Sequence, residues 1–306
     1  MCRLFAMSGG QRPVRATFWL LDAADSLAQQ SRSNPDGFGI ATFAGDGTPE
    51  IEKRPVAAIG DEEFARAARE ESSTVYVAHV RHASTGTISV ENTHPFALDG
   101  RVFAHNGHVG GLDTLDERLG PDGRALVRGQ TDSERVFALI TTEVRGNGGD
   151  IEAGIETAVR WIAANLPLFA LNFILATATT VWALRYPETH PLLILERGRG
   201  GPTGARHLDA ASPAGTVRVR SGDLAQHPAV ILATEQMDED PGWRALAPGA
   251  LVRIDPDLSV TARTIAGEPP AHQLTLEDLD ARAAAAQAAA GASSGIASSL
   301  PTKRSA

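Results

Sequence analysis

Residues 161–184 carry no charged side chain, a run long enough to cross a bilayer as a helix. Such a stretch must be buried, either in lipid or inside a protein. Asn165, Pro167 and Asn172 interrupt it, and Thr177, Thr179 and Thr180 gather near its end, which argues against a membrane span. It reads instead as a helix end, a Pro-bearing loop and two buried strands, over 172–177 and 181–186.

Around that run the periodicities alternate between strand and helix. A short apolar strand is expected over 4–7, almost at the terminus, and a helix over 17–29, where Phe18, Leu20, Leu21, Ala24 and Leu27 recur at helical spacing. Asn34-Pro35-Asp36-Gly37 is a turn leading into a strand over 38–43. A helix over 61–71 and a β-branched strand over 75–80 follow, then a strand over 101–104 that runs into His105-Asn106-Gly107. Thr131, with Glu134 three residues later, has the form of a capping box opening a helix to about Val144. A second helix is expected over 151–164, and later strands over 192–196, 230–234, 250–254 and 260–264. Strands, two helices, then strands again fit two packed sheets covered by helices better than a parallel βαβ series. The fold class is therefore α+β.

At 306 residues the length would allow two domains, but no linker divides residues 1–270. One domain over 2–270 is expected, followed by an Ala/Ser-rich segment over 271–306. The last 26 residues hold 11 alanines and 5 serines, too little apolar area to bury. A helix to about Ala290 and a disordered tail beyond Gly291 are expected. The formal charge is −9, and no basic run exceeds Lys303-Arg304, so a nucleic-acid partner is not expected. The apolar stretch at the N-terminus is too short for a signal peptide, and a cytoplasmic enzyme with no membrane association is expected.

The chain has one cysteine, Cys2, so neither an internal disulfide nor a cysteine-rich zinc site can form. Loss of Met1 would put the Cys2 thiol and a free α-amine on one residue. An α-amine with a pKa of about 7.7–8.0 can serve as base to a thiol of about 8.5. Arg81, ending the strand in His79-Val80-Arg81-His82-Ala83-Ser84-Thr85, offers a planar fork suited to a carboxylate, or is a surface arginine paired with an acid. Asn106 and Gly107 supply an amide and a backbone N–H at one spot, as an oxyanion hole requires, or form a plain Asn-Gly turn. Asp132 either serves the helix dipole or holds a substrate ammonium.

Five of the nine histidines lie between His79 and His108. The pairs His79/His82 and His105/His108 are three apart, an odd offset that points strand side chains to opposite faces. No metal and no cofactor are expected. The stretch Gly198 to Gly204 lacks the Lys-Ser/Thr ending of a phosphate loop.

The order of these segments is more specific than any one of them. Met1-Cys2-Arg3-Leu4-Phe5, Pro35-Asp36-Gly37-Phe38-Gly39-Ile40, His79-Val80-Arg81-His82-Ala83-Ser84, Asn92-Thr93-His94-Pro95-Phe96, His105-Asn106-Gly107 and Thr131-Asp132-Ser133-Glu134 together resemble the class II glutamine amidotransferases. These are N-terminal-nucleophile hydrolases, and the chain is most similar to the stand-alone subfamily. Leu171-Asn172-Phe173-Ile174-Leu175, Ala233-Thr234-Glu235 and Pro241-Gly242-Trp243 extend the likeness to about residue 255.

The resemblance implies a four-layer αββα sandwich. It implies Cys2 as nucleophile with its freed amine as base, Arg81 on the α-carboxylate of glutamine and Asp132 on its α-ammonium. It also implies Asn106 and Gly107 as oxyanion donors, with Ser84 and Thr85 in the same pocket. The implied activity is hydrolysis of the γ-carboxamide of glutamine, with ammonia passed to a separate synthase or simply released. Two alternatives stand beside it. One is cleavage of another γ-glutamyl compound, as in a relative that acts on an ergothioneine-pathway intermediate. The other is a non-catalytic binding or regulatory module.

Overall fold

A computed structural model describes residues 2–199, 208–211, 218–221 and 227–288. The expected tail beyond Gly291 and most of the 198–204 stretch lie outside the described residues. The chain begins with β1 (Arg3–Ser8), a π-helical turn (Phe18–Asp22) and a short helix α1 (Leu27–Gln30). Next come β2 (Phe38–Phe43), β3 (Pro49–Arg54), α2 (Glu62–Glu70) and β4 (Val75–Val80). The hairpin of β5 (Phe96–Leu98) and β6 (Arg101–Val109) leads into α3 (Leu112–Arg124), α4 (Asp132–Gly146) and α5 (Ile151–Asn165). Then follow β7 (Pro167–Ala176), β8 (Val181–Leu184), β9 (Leu193–Arg197), β10 (Leu208–Ala211), β11 (Arg218–Ser221) and β12 (Ala229–Ala233). The described chain ends with β13 (Arg244–Ala245), β14 (Ala250–Ile254), β15 (Val260–Thr264), β16 (His272–Gln273) and α6 (Ala281–Ala288).

The strands form two large sheets, in the orders β13-β9-β12-β1-β4-β2-β3 and β15-β14-β8-β7-β6-β5, while β10 and β11 pair with each other. All of these pairs are antiparallel, and β16 adds to β7 in parallel. Strand alternation sorts the apolar side chains into three cores. Phe5, Met7, Phe38, Tyr76 and Val80 pack outward with Trp19, Leu27 and Phe64 of the first helical layer. Leu4, Ala6, Val75 and Val77 face Val102, Ala104 and Ile174 of the other sheet. Phe103, Leu171 and Phe173 pack outward with Phe137, Ile140, Ile155 and Val159 of α4 and α5. The result is helix, sheet, sheet, helix: an α+β fold of four layers.

The expected helix over 17–29 is broken. Ala23 is extended (ψ 151°), and Ser26 restarts the chain as the cap of α1, accepting from Gln29 N. The uncharged run becomes the end of α5, β7 and β8, with no loop at Pro167. Proline is tolerated as the first residue of a strand because the ladder needs no N–H from it there. A third helix, α3, has no counterpart among the sequence expectations. Gly111 gives it no side-chain cap, and Gly120 (φ 61°) followed by Pro121 breaks it midway, which erases the periodic signal. Among the described residues, no helix is long and apolar enough to cross a membrane.

Candidate active site

The same alternation that builds the cores delivers polar residues to one end of the inter-sheet layer. Leu4 and Ala6 face inward from β1, so Cys2, two residues before Leu4, lies on that face at the head of a central strand. In the neighbouring strand His79 pairs with Leu4, and Arg81 lies just beyond the strand end. On β6, Val102 and Ala104 face the other sheet, which puts Asn106 on the same side. Its Nδ2 donates to the Cys2 carbonyl oxygen at 2.9 Å. His105 and Gly107 point the other way, and the His105 ring meets Ser133 Oγ on α4 at 2.9 Å.

The turn reading of His105-Asn106-Gly107 fails, because all three lie inside β6. A glycine is needed at 107 for another reason. A Cβ there would stand 1.9 Å from the Ala170 carbonyl oxygen on β7.

Cys2, Arg81, Ser84, Thr85, Gly107 and Asp132 line one cleft of about 300 Å³, together with His82, His94, His105, Thr131 and Ser133. Asn106 lies behind it, 1% exposed. Arg81 is only 3% exposed, which rules out the surface-arginine reading. Its Nη2 donates to Thr85 O (2.8 Å) and its Nη1 to Thr87 O (3.1 Å). A guanidinium has five N–H donors, so others remain for a ligand. Asp132 is the first residue of α4, and its Oδ2 accepts from Val109 N at 2.9 Å, fastening the helix to the end of β6.

The capping box is half built. Thr131 Oγ1 accepts from Glu134 N, but the Glu134 carboxylate turns to the N–H groups of Arg128 and Gly129. Asn92 ties the loops on either side of the cleft, accepting from Gln130 N and donating to Thr87 O.

Burial pushes the Cys2 thiol above its ordinary pKa, against the His82 N–H and the Arg81 charge. Its Sγ lies 3.1 Å from His82 N and donates to His82 O at 3.2 Å, so both partners are backbone and not an imidazole. Burial also holds the nearby rings neutral. His94 and His105 titrate below the ordinary histidine value, and His79 falls to about 3. A proton acceptor for work near pH 7 needs a pKa close to 7, which these rings lack.

Buried neutral histidines also make the fold acid-labile. The unfolded chain takes up protons below about pH 6.5, whereas folded His79 does so only near 3. Stability is therefore unaffected above that window and falls within it, by about 1.4 kcal/mol per pH unit for each such ring. A urea midpoint clearly lower at pH 5 than at pH 7 is the expected result; equal midpoints would contradict it.

His82 and His94 line the cleft and His108 does not. Thr131, Ser133 and His105 are read from the sequence as a helix cap or as motif members, and not as residues of the pocket. All three flank residues that are so read, and strand alternation together with a helix first turn would have pointed to them. Among the described residues, no group of three or more His, Cys, Asp and Glu side chains could hold a metal ion.

The family described as class-II glutamine amidotransferases matches residues 1–273. A probable glutamine amidotransferase of Saccharomyces cerevisiae is 30% identical over 45% of this chain, a stretch that spans 44% of the yeast protein, less than half its length. The γ-glutamyl-hercynylcysteine sulfoxide hydrolase of Mycobacterium tuberculosis is 28% identical over 83% of this chain and 93% of its own. A solved glutamine aminotransferase class-II domain protein from Silicibacter pomeroyi shares the fold. Its TM-score is 0.57 at 22% identity, covering 87% of this chain and all of that one. With the layering described above, these matches show that the chain belongs to the class-II glutamine amidotransferase family.

Proposed function

We propose that the chain, once Met1 is removed, hydrolyses the γ-carboxamide of glutamine through a γ-glutamyl thioester on Cys2. The observation that carries this reading is the junction of Asn106 and Cys2. An amide nitrogen 2.9 Å from the Cys2 carbonyl has a second N–H to offer a charge developing next to the thiol. The freed α-amine takes the thiol proton, and the thiolate attacks the γ-carbonyl carbon. Asn106 and the Gly107 N–H hold the oxyanion. The C–N bond breaks, and ammonia leaves with the proton from the amine. Water, deprotonated by the same amine, then splits the thioester to glutamate. Arg81 binds the α-carboxylate and Asp132 the α-ammonium, with Ser84 and Thr85 beside them.

The test is release of ammonia and glutamate in equal amounts from L-glutamine by protein whose Met1 loss is established by intact mass. No release from such folded protein would count against this reading. Because the base is an α-amine, kcat/KM should rise with pH through about 7.7–8.0 and fall off on the acid side. Arg81→Lys keeps the charge but loses the fork. It is expected to raise KM for glutamine about 10- to 100-fold with a smaller effect on kcat. An unchanged KM would remove Arg81 from carboxylate binding.

A second reading rests on the Mycobacterium tuberculosis relative, which the chain matches along 93% of its length. In that case the amide nitrogen belongs to a larger amine and not to ammonia, while the γ-glutamyl half is held in the same way. γ-Glutamylcysteine assayed beside glutamine separates the two by their kcat/KM ratio. If glutamine wins, a separate ammonia-accepting synthase is the expected partner.

A further inference from the structure

The segment after residue 273 lies outside the stretch matched by the family, yet it bonds to Gly107, which lines the cleft, and to Ala83, next to Ser84. An eight-residue helix is too short to form alone, so α6 exists because of what it docks on. Asp280 caps it, accepting from Ala283 N at 2.8 Å. Ala283, Ala286 and Gln287, spaced on one face, are buried; the alanines bring the helix close, and Gln287 is 4% exposed.

Both ends of the Gln287 amide are engaged. Nε2 donates to the Gly107 carbonyl oxygen at 2.8 Å, and Oε1 lies 2.8 Å from His190 Nε2. Burial holds His190 neutral, its pKa near 4; because an amide oxygen can only accept, the ring's proton sits on Nε2 and is donated to Oε1. The His190 carbonyl in turn accepts from Asn172, the register partner of Asn106. On the thiol side, Arg282 Nε donates to Ala83 O at 3.0 Å, next to the His82 backbone that grips Cys2 Sγ.

We infer that α6 braces this active site from behind and that Gln287 is a positioning residue, fixing β6 at Gly107 so that the oxyanion donors meet the thiol. The inference rests on the proposed function for its kinetic readout only. A donor strand that drifts loses transition-state contacts while ground-state binding through Arg81 and Asp132 remains, so kcat falls and KM stays.

The test uses full-length Gln287→Met, which keeps the bulk without hydrogen bonds, and Gln287→Glu, which turns a carboxylate on the Gly107 carbonyl. Amide hydrogen exchange over residues 105–109 should quicken at least about tenfold in both. The kcat for glutamine should fall at least about tenfold, with KM within about twofold and a single cooperative melt retained, at a lower temperature. Unchanged exchange overturns the inference, as does faster exchange with wild-type kcat, which would make Gln287 merely structural. If the wild-type protein does not hydrolyse glutamine, the proposed function fails and exchange alone judges the bracing of β6: faster upholds it, unchanged overturns it.

Discussion

Replacing Cys2 by alanine is expected to lower ammonia release from glutamine by at least about 10⁴-fold while leaving the melting temperature nearly unchanged. The two halves of this expectation have separate causes. Removing a nucleophile removes the covalent route altogether, and the remaining donors can only stabilise direct attack by water. The fold is spared because the Cys2 side chain belongs to none of the three cores and, among the described residues, bonds only to the His82 backbone. Cys2 is also the chain's one cysteine, so loss of activity on thiol alkylation reports on this site and no other. Retention of Met1 should silence the enzyme to the same degree, since the amine that serves as base is then an amide nitrogen. Activity in the variant above about one per cent of wild type would place the nucleophile elsewhere.

Asn106→Ala is expected to lower kcat on the order of a hundredfold or more, with KM changed only a few-fold. The side chain is buried, gives one N–H to the Cys2 carbonyl and finds no partner for its own Oδ1 among the described residues. An unpartnered buried acceptor ordinarily costs a protein 1–3 kcal/mol or so. That such an atom persists behind the cleft is understandable if the other end of the amide is needed where it is. Asn106→Asp should be worse than alanine, because it presents a carboxylate to the developing oxyanion. Steady-state kinetics on both variants, with melting curves to exclude misfolding, would decide it. A fall in kcat smaller than about threefold would remove Asn106 from the role.

Much of this arrangement could be read from residue order, and the unread parts have identifiable physical causes. Strands with plain alternation or β-branched runs, such as β2 and β4, announce themselves, and the cap Thr131 marks a true helix start. Asn106 and Gly107 could not be told from a hairpin turn, because Asn-Gly prefers turns locally. Their place in β6 is settled by pairing with Asn172 and Leu171, far along the chain. The helix α3 was hidden by Gly120 and Pro121, which break a helix in sequence and kink this one in fact. The burial of Arg81 follows from the loops folded over it, and no local pattern encodes that. The docking of α6 was invisible for the opposite reason: its alanines read as featureless, while the contact that matters is a single amide, Gln287, reaching Gly107 across 180 positions.

The account stands on covalent chemistry at Cys2, and the most direct measurement is to trap it. Protein lacking Met1 is mixed with L-glutamine, quenched in acid within its turnover time and examined by mass spectrometry of the N-terminal peptide. The predicted result is a γ-glutamyl adduct on Cys2 that hydroxylamine removes, as it removes a thioester. Steady glutamate production with no adduct at any quench time, or an adduct on another residue, would contradict it.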